Sequence, residues 1–212
     1  GDPGTYDPTE DVKFLRKEIE YWMREIIKNG LGRIARQAKM QGTKQEVILE
    51  ERLAGLNITE AQIKEALKHV ELPADPTQWD DDILLDLCTE IRAISKPMII
   101  AMNKADLASE ENISKLKEMG DMTVPTLAET ELALKKAAAA GLIEYNAGDA
   151  EFKIKEGVKI NEGQKKALEY MAENMKKYGG TGIQTCIETG VFKVLDYIAV
   201  YPVEDETKYT DH

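Results

Sequence analysis

Between Val12 and Ile26 the apolar residues fall at steps of 3, 4, 3 and 4, through Leu15, Ile19 and Trp22, with Met23 and Ile27 widening the stripe. A step alternating between three and four keeps side chains on one face of an α-helix, so the pattern predicts an amphipathic helix from about Pro8 to Lys28. Gly30 and Gly32 interrupt it, and a second helical stretch is expected toward Leu53. A short helix follows at 59–70. The Pro-punctuated segment "LPADPTQW" then leads to a last helix at about 80–95, with Ile83, Leu84, Leu87, Ile91 and Ile94 facing inward. Residues 1–95 therefore read as a helical module.

Several starts carry a capping signature, in which a Ser, Thr, Asp or Asn side chain accepts an N–H of the first helical turn and a Glu or Gln three residues on reaches back. "DPTE" (7–10), "TEAQ" (59–62), "DPTQ" (75–78), "TLAE" (126–129), "NEGQ" (161–164) and "TGIQ" (181–184) all fit, which makes Asp7, Thr59, Asp75, Thr126, Asn161 and Thr181 the expected caps.

The periodicity changes at Lys96. "PMIIAM" (97–102) is short, apolar and preceded by Pro, as a buried strand would be. A loop, a helix at about 109–119 and a second strand at "MTVPT" (122–126) complete a strand–helix–strand crossover of a parallel sheet. "ELALKKAAAAG" (131–141) is a strong helix former that Gly141 ends, and "LIEYNAGDAEFKI" (142–154) holds two short strands about an Asn/Gly turn. Helices at about 162–178 and 182–198 and a strand at "IAVYPVED" (198–205) close the pattern.

Composition narrows the classes. The 212 residues carry a net charge of −11, with 42% hydrophobic and 32% charged residues. That balance supports a packed core and opposes tight binding to DNA, which needs a basic surface. Arg33, Arg36, Lys39, Lys44 and Arg52 make one stretch less acidic, and a solvated helix face explains it with less than a nucleic-acid or ribosome contact does. No apolar run has the length of a membrane span, so a cytoplasmic protein without membrane attachment is expected. Cys88 and Cys186 fall among apolar residues and read as reduced. With only His69 and His212, neither a His-based metal site nor a Ser/His/Asp triad is expected.

The chemistry concentrates in "KPMIIAMNKADL" (96–107). Guanine presents N1–H and N2–H₂ as adjacent donors, and one carboxylate, Asp106, can accept both; adenine would leave that carboxylate unpaired. Asn103 can offer its amide to the base edge and tie the loop together, and Lys104 can lay its stem along the purine face. The loop follows the carboxyl end of a strand, where open α/β sheets hold ligands. The second strand ends in "PTLAE" (125–129), where Thr126 and Ala128 are placed to offer a backbone N–H to the base oxygen, Ala128 the better. The phosphate half of such a site is missing: no G-x-x-x-x-G-K-[ST] and no D-x-x-G occurs, and the Gly-rich "YGGTGIQT" (178–185) is better explained by a helix end at Gly179 and a cap at Thr181. A base reader without a phosphate cradle should bind GTP weakly or not at all and hydrolyse none.

The runs "DPTEDVKFLRKEIEYWM", "LPADPTQW", "KPMIIAMNKADL", "VPTLAETELALKKAAAAGLIEY" and "GTGIQTCIETGVFKVLDYIAVYPVEDETKYTD" resemble, in this order, the Obg-like, translation-associated GTPases of the YchF type, most closely their archaeal branch. That resemblance implies an α/β fold with a large helical insertion: a partial P-loop NTPase (G-domain) sheet at 96–200, a helical module at 1–95, the start of a TGS domain at 201–212, and a mostly helical chain overall. It implies GTP with Mg as the ligand of the full-length family, Asn103, Lys104 and Asp106 as the guanine-specificity motif, and no catalytic or metal-binding residue in this chain. Where Thr-Ser-Ala would fit the family pattern, the chain has Thr126-Leu127-Ala128, so a serine side chain is not available there. The resemblance makes the ribosome a candidate partner. A partial sheet would leave one edge of the strand at 97–102 unpaired, from which self-association is expected. The alternative is a catalytically dead helical interaction module that binds ribosome or protein; an unrelated helical protein with an accidental Asn-Lys-Ala-Asp is a third reading.

Overall fold

The computed structural model describes residues 7–120 and 122–199, and the chain divides into two compact units, Gly1–Met98 and Ile99–His212. The first is built from α1 (Thr9–Lys28), α2 (Leu31–Gln41), α3 (Gln45–Leu53), α4 (Glu60–Ala66) and α5 (Asp81–Ser95), with 3₁₀ turns at Ala54–Leu56 and Pro76–Gln78. The second holds β1 (Ile99–Asn103), α6 (Glu110–Glu118), β2 (Met122–Thr126), α7 (Ala128–Ala139), β3 (Ile143–Glu144), β4 (Lys153–Ile154), α8 (Glu162–Tyr178) and α9 (Ile183–Glu188), followed by a π-helical turn at Thr189–Val194.

Local chemistry sets most helix starts. The Asp7 carboxylate accepts from the Thr9 N–H at 2.9 Å, with Pro8 between them; the Glu10 carboxylate, expected to reach back, accepts from Lys13 instead. Thr59 with Gln62 and Asn161 with Gln164 form full reciprocal boxes. Asp75 caps the 3₁₀ turn, and Asp80 opens α5 by accepting from the Asp82 and Ile83 N–H groups. The stretch expected to run on to Leu53 is two helices, broken where Gly42 takes a left-handed φ of 65°.

The core of the first unit joins Met23 and Ile27 of α1, Ala35 of α2, Ile48, Leu49 and Leu53 of α3, Ile63 of α4 and Leu84, Leu87 and Ile91 of α5. Burying each large aliphatic side chain is worth about 1.5–3 kcal/mol. Here α1 departs from expectation. Leu15 and Trp22 of the expected stripe are 50% and 55% exposed, Phe14 outside it is 65% exposed, and the face turned inward runs through Glu20, Met23 and Ile27. The apolar stripe is wider than the surface that α3 and α5 cover. The inward face also carries a charge pair: Arg92 Nε donates to Glu20 Oε1 at 2.7 Å, with both side chains about nine-tenths buried. Two of the basic residues expected on a solvated face have internal partners: Lys39 bonds Asp75, and Arg52 donates to the Ile26 and Asn29 carbonyls at the end of α1. Cys88 and Cys186 are free thiols; burial pushes the Cys88 thiol up to about 12, whereas Cys186 is only half-buried.

In the second unit β1 and β2 pair in parallel, Ile99 opposite Met122 through Asn103 opposite Thr126, with α6 in the crossover. The first strand starts two residues later than expected, after Pro97 and Met98. Among the described residues β1 has no pairing partner other than β2. The hairpin β3–β4 is antiparallel, Ile143 opposite Ile154, and its Ile143 packs with Leu134, Leu168 and Met175 in a second small core. The helix expected at 182–198 is shorter: α9 has six residues and widens into the π turn, and Asp196 ends the run at φ 52°. Ile198 and Ala199 form no strand, and the rest of the segment 198–205, like the block 201–212, lies outside the described residues. No helix among the described residues is long and apolar enough to cross a membrane.

Candidate functional site

The parallel register delivers Asn103 and Thr126 to the same end of the two-stranded sheet. Beyond Asn103 the chain turns at once: Lys104 sits in the left-handed region at φ 58°, the Ala105 N–H donates to the Thr126 carbonyl, and the Leu107 N–H donates back to the Lys104 carbonyl at 3.0 Å. A bulky non-glycine residue held at positive φ is uncommon and marks a loop whose shape is set by its surroundings. Here those surroundings are the buried Ala105, whose carbonyl accepts from the Tyr178 hydroxyl at 2.8 Å, and Glu110, which pairs with Lys177 at 2.6 Å.

The loop borders a cleft of about 360 Å³. Asn103, Lys104, Asp106 and Leu107 form one side, and Leu127, Ala128 and Glu129 at the start of α7 form another. Tyr170 and Met171 of α8 supply a third. The structure thus gathers Asn103, Lys104, Asp106 and Ala128 around one space. Thr126 is not among the lining residues: it is 2% exposed and is the last residue of β2. It does not cap α7 either, since that position is Leu127. The cap comes from elsewhere in the chain, because Asn103 Oδ1 accepts from the Ala128 N–H at 3.2 Å. Asn103 therefore ties the two loops together, and the N–H expected to meet a base oxygen already has an acceptor. A base would have to share or displace that contact, whose length is at the weak end for an N–H···O bond.

Thr181, also expected as a cap, has another role. Its hydroxyl donates to Glu131 Oε2 at 2.5 Å and its carbonyl accepts from the Leu127 N–H at 2.8 Å. Tyr145 donates to the same Glu131 oxygen at 2.6 Å, and Lys135 lies 3.3 Å from the other. The Gly-rich stretch thus braces the β2–α7 turn from behind, with Gly179 ending α8 as expected. Burial pushes the Glu131 carboxyl up, but the bonds from Thr181, Tyr145 and Lys135 outweigh it and hold the group below the usual carboxylate range. Burial and then Glu131 push the Tyr145 phenol up to about 12.

A carboxyl with a lowered pKa in the folded state stabilises the fold above its unfolded pKa and loses that contribution as pH falls through the folded value. Acidification should therefore weaken this unit. Glu131→Gln should cost about 1–2 kcal/mol at neutral pH and flatten the decline toward acid. Urea unfolding at a series of pH values checks this; an unchanged slope with Glu131→Gln would remove Glu131 from the account.

Tyr170 was not singled out by sequence reasoning. Its hydroxyl donates to Asp106 Oδ2 at 2.9 Å across 64 positions of chain. The available signal is periodic: Tyr170, Asn174 and Tyr178 follow at steps of four along α8.

The chain is similar to several known proteins. Residues 101–205 match the family described as the Obg-like GTPase YGR210-like, G4 motif-containing domain. The chain is similar to the GTP-binding protein MJ1332 of Methanocaldococcus jannaschii, with 46% identity over 209 residues, 97% of this chain and 52% of that protein. It is also similar to the GTP-binding protein C428.15 of Schizosaccharomyces pombe, at 26% identity over 94% of this chain and 51% of the relative. Among solved structures it resembles a GTP binding protein from Pyrococcus horikoshii OT3, with a TM-score of 0.71 and 40% identity over 95% of this chain and 54% of that one. These likenesses support an Obg-like GTPase family, and the residues matched by the family description lie within the second unit. The chain spans about half the length of the relatives it matches.

Proposed function

We propose that the cleft at the end of β1 is the base-reading site of a GTP-binding protein of the YchF type, archaeal branch, working in the cytoplasm in association with translation. The observation that supports this best is the convergence of Asn103, Lys104, Asp106 and Ala128 on one space, on a strand–loop whose sequence suits guanine. In this reading Asp106 accepts from N1–H and N2–H₂, Lys104 covers a purine face and Asn103 holds the loop to α7. A carboxylate left facing adenine would have no donor pair, which is the source of discrimination. The residues discussed reach the base only. Among the described residues no group of three His, Cys, Asp or Glu side chains gathers as metal ligands. The ribosome as a partner, and self-association through the edge of β1 opposite β2, belong to the same proposal.

The test is a comparison of guanosine and adenosine monophosphates, followed by chemical shifts of the Lys104 and Ala128 amides. GMP should shift them and AMP should not, and Asp106→Ala should reduce the guanine preference by about 100-fold, the equivalent of losing two charge-assisted bonds in a half-exposed site. Equal responses to the two nucleotides would sink the reading. A second reading, a helical interaction module without catalysis, draws on the exposed Phe14, Leu15 and Trp22 of α1.

A further inference from the structure

The guanine-loop sequence does not account for the contact between Tyr170 and Asp106 in the cleft. Asp106 is only half-buried and lies on a loop, so its carboxylate plane needs something to hold it. At the β2–α7 turn the adjacent side chain is Leu127, which is buried and has no hydroxyl to offer. The hydroxyl comes instead from α8, where Tyr170 lines the same cleft and bonds Oδ2. Asn174, one turn further along α8, donates to the Tyr170 carbonyl, and Tyr178 and Lys177 fasten the neighbouring residues Ala105 and Glu110. Asp106 is thus held by a helix that already grips its loop on both sides.

We propose that Tyr170 is a positioning residue for guanine recognition: its hydroxyl fixes the Asp106 carboxylate so that both oxygens can meet the two adjacent donors of the base. The inference rests on the base-reading site proposed above. A carboxylate offers about four lone-pair directions over its two oxygens. One bond from Tyr170 therefore leaves acceptors for N1–H and for N2–H₂, and Tyr170 supports the base rather than competing with it. The bond also leaves a spectroscopic mark, since Asp106 holds the Tyr170 phenol above its ordinary range. The carboxylate is the charged group that faces the phenol, with Tyr178 the other titratable neighbour on its helix.

The experiment removes only the hydroxyl. Tyr170→Phe is compared with the unaltered chain for binding of GMP, IMP and AMP, IMP being the analogue that keeps N1–H and lacks the N2 amino group. Binding is read from the same Lys104 and Ala128 amides. With the hydroxyl present GMP should bind better than IMP. Tyr170→Phe should weaken GMP about three- to tenfold, narrow the GMP-to-IMP ratio and leave AMP unchanged. A merely structural role for Tyr170 would weaken all three alike and leave the ratio intact, which would overturn the proposal. Tighter GMP binding in Tyr170→Phe would overturn it too, by making the hydroxyl a competitor. Asp106→Ala should lower the titration of the Tyr170 phenol toward its ordinary range, and an unmoved phenol would deny the bond in solution. The two readings fail separately: no guanine preference in the unaltered chain removes the base-reading site and this inference with it, whereas a preference that Asp106→Ala abolishes and Tyr170→Phe leaves whole removes this inference alone.

Discussion

Gly182→Ala is expected to destabilise the second unit by about 3–5 kcal/mol, a large part of the 5–15 kcal/mol that holds a typical domain. Two causes combine. Gly182 has φ 75°, where an L side chain costs about 1 kcal/mol. A Cβ there would also collide with the Pro125 carbonyl, a backbone group that cannot rotate away. Pro125 belongs to β2, so relief would have to come from the strand or from the Thr181 carbonyl that holds the Leu127 N–H. Gly157→Ala separates the two causes. Gly157 has a similar φ of 77° and open space where its Cβ would go, so its substitution should cost only the backbone share. Denaturant unfolding of the two variants checks this, and equal losses would mean that the close approach to Pro125 contributes nothing.

The second large effect concerns the first unit. Glu20→Ala should cost about 3–5 kcal/mol, because it leaves the Arg92 guanidinium in an apolar setting without its carboxylate. The pair bridges α1 and α5, 72 positions apart, and α5 is the partner against which α1 turns its buried face. Replacing both residues by Met should cost far less than either single loss, since the desolvation of two charges disappears with them. Thermal or urea unfolding of Glu20→Met, Arg92→Met and the double variant forms a cycle that isolates the pair. Additive losses would show that the ion pair is not what makes the single changes costly.

These two sites also mark what a sequence can and cannot disclose. Helix starts at Thr59, Asp75 and Asn161 were legible because donor and acceptor lie within three residues of each other. The same signature misled at Thr126 and Thr181, whose environments are set by residues distant in sequence: Thr126 is enclosed at the end of a strand, and Thr181 serves a buried glutamate 50 positions away. Glu20 and Arg92 look like any charges on amphipathic helices. The α1 stripe is plain in the spacing, but which part of it turns inward depends on how much of its width the neighbouring helices cover. The strands were legible as short apolar runs after a change of period, and their parallel pairing followed from the helix between them. Within the cleft, Asn103, Lys104 and Asp106 follow one another closely in sequence, so their gathering around one space follows once β1 ends at Asn103. Tyr170 was not legible, because a tyrosine on an exposed helix face carries no chemical demand until the helix is laid beside the loop.

The stepwise match of Ile99–Asn103 with Met122–Thr126 has a last consequence. Neighbouring positions on a strand point to opposite sides, so the ribbon works as a delivery schedule in which every letter has an assigned side and a fixed arrival point. Deleting a single residue between 99 and 103 would keep all the chemistry of the following tetrapeptide and send it to the wrong address.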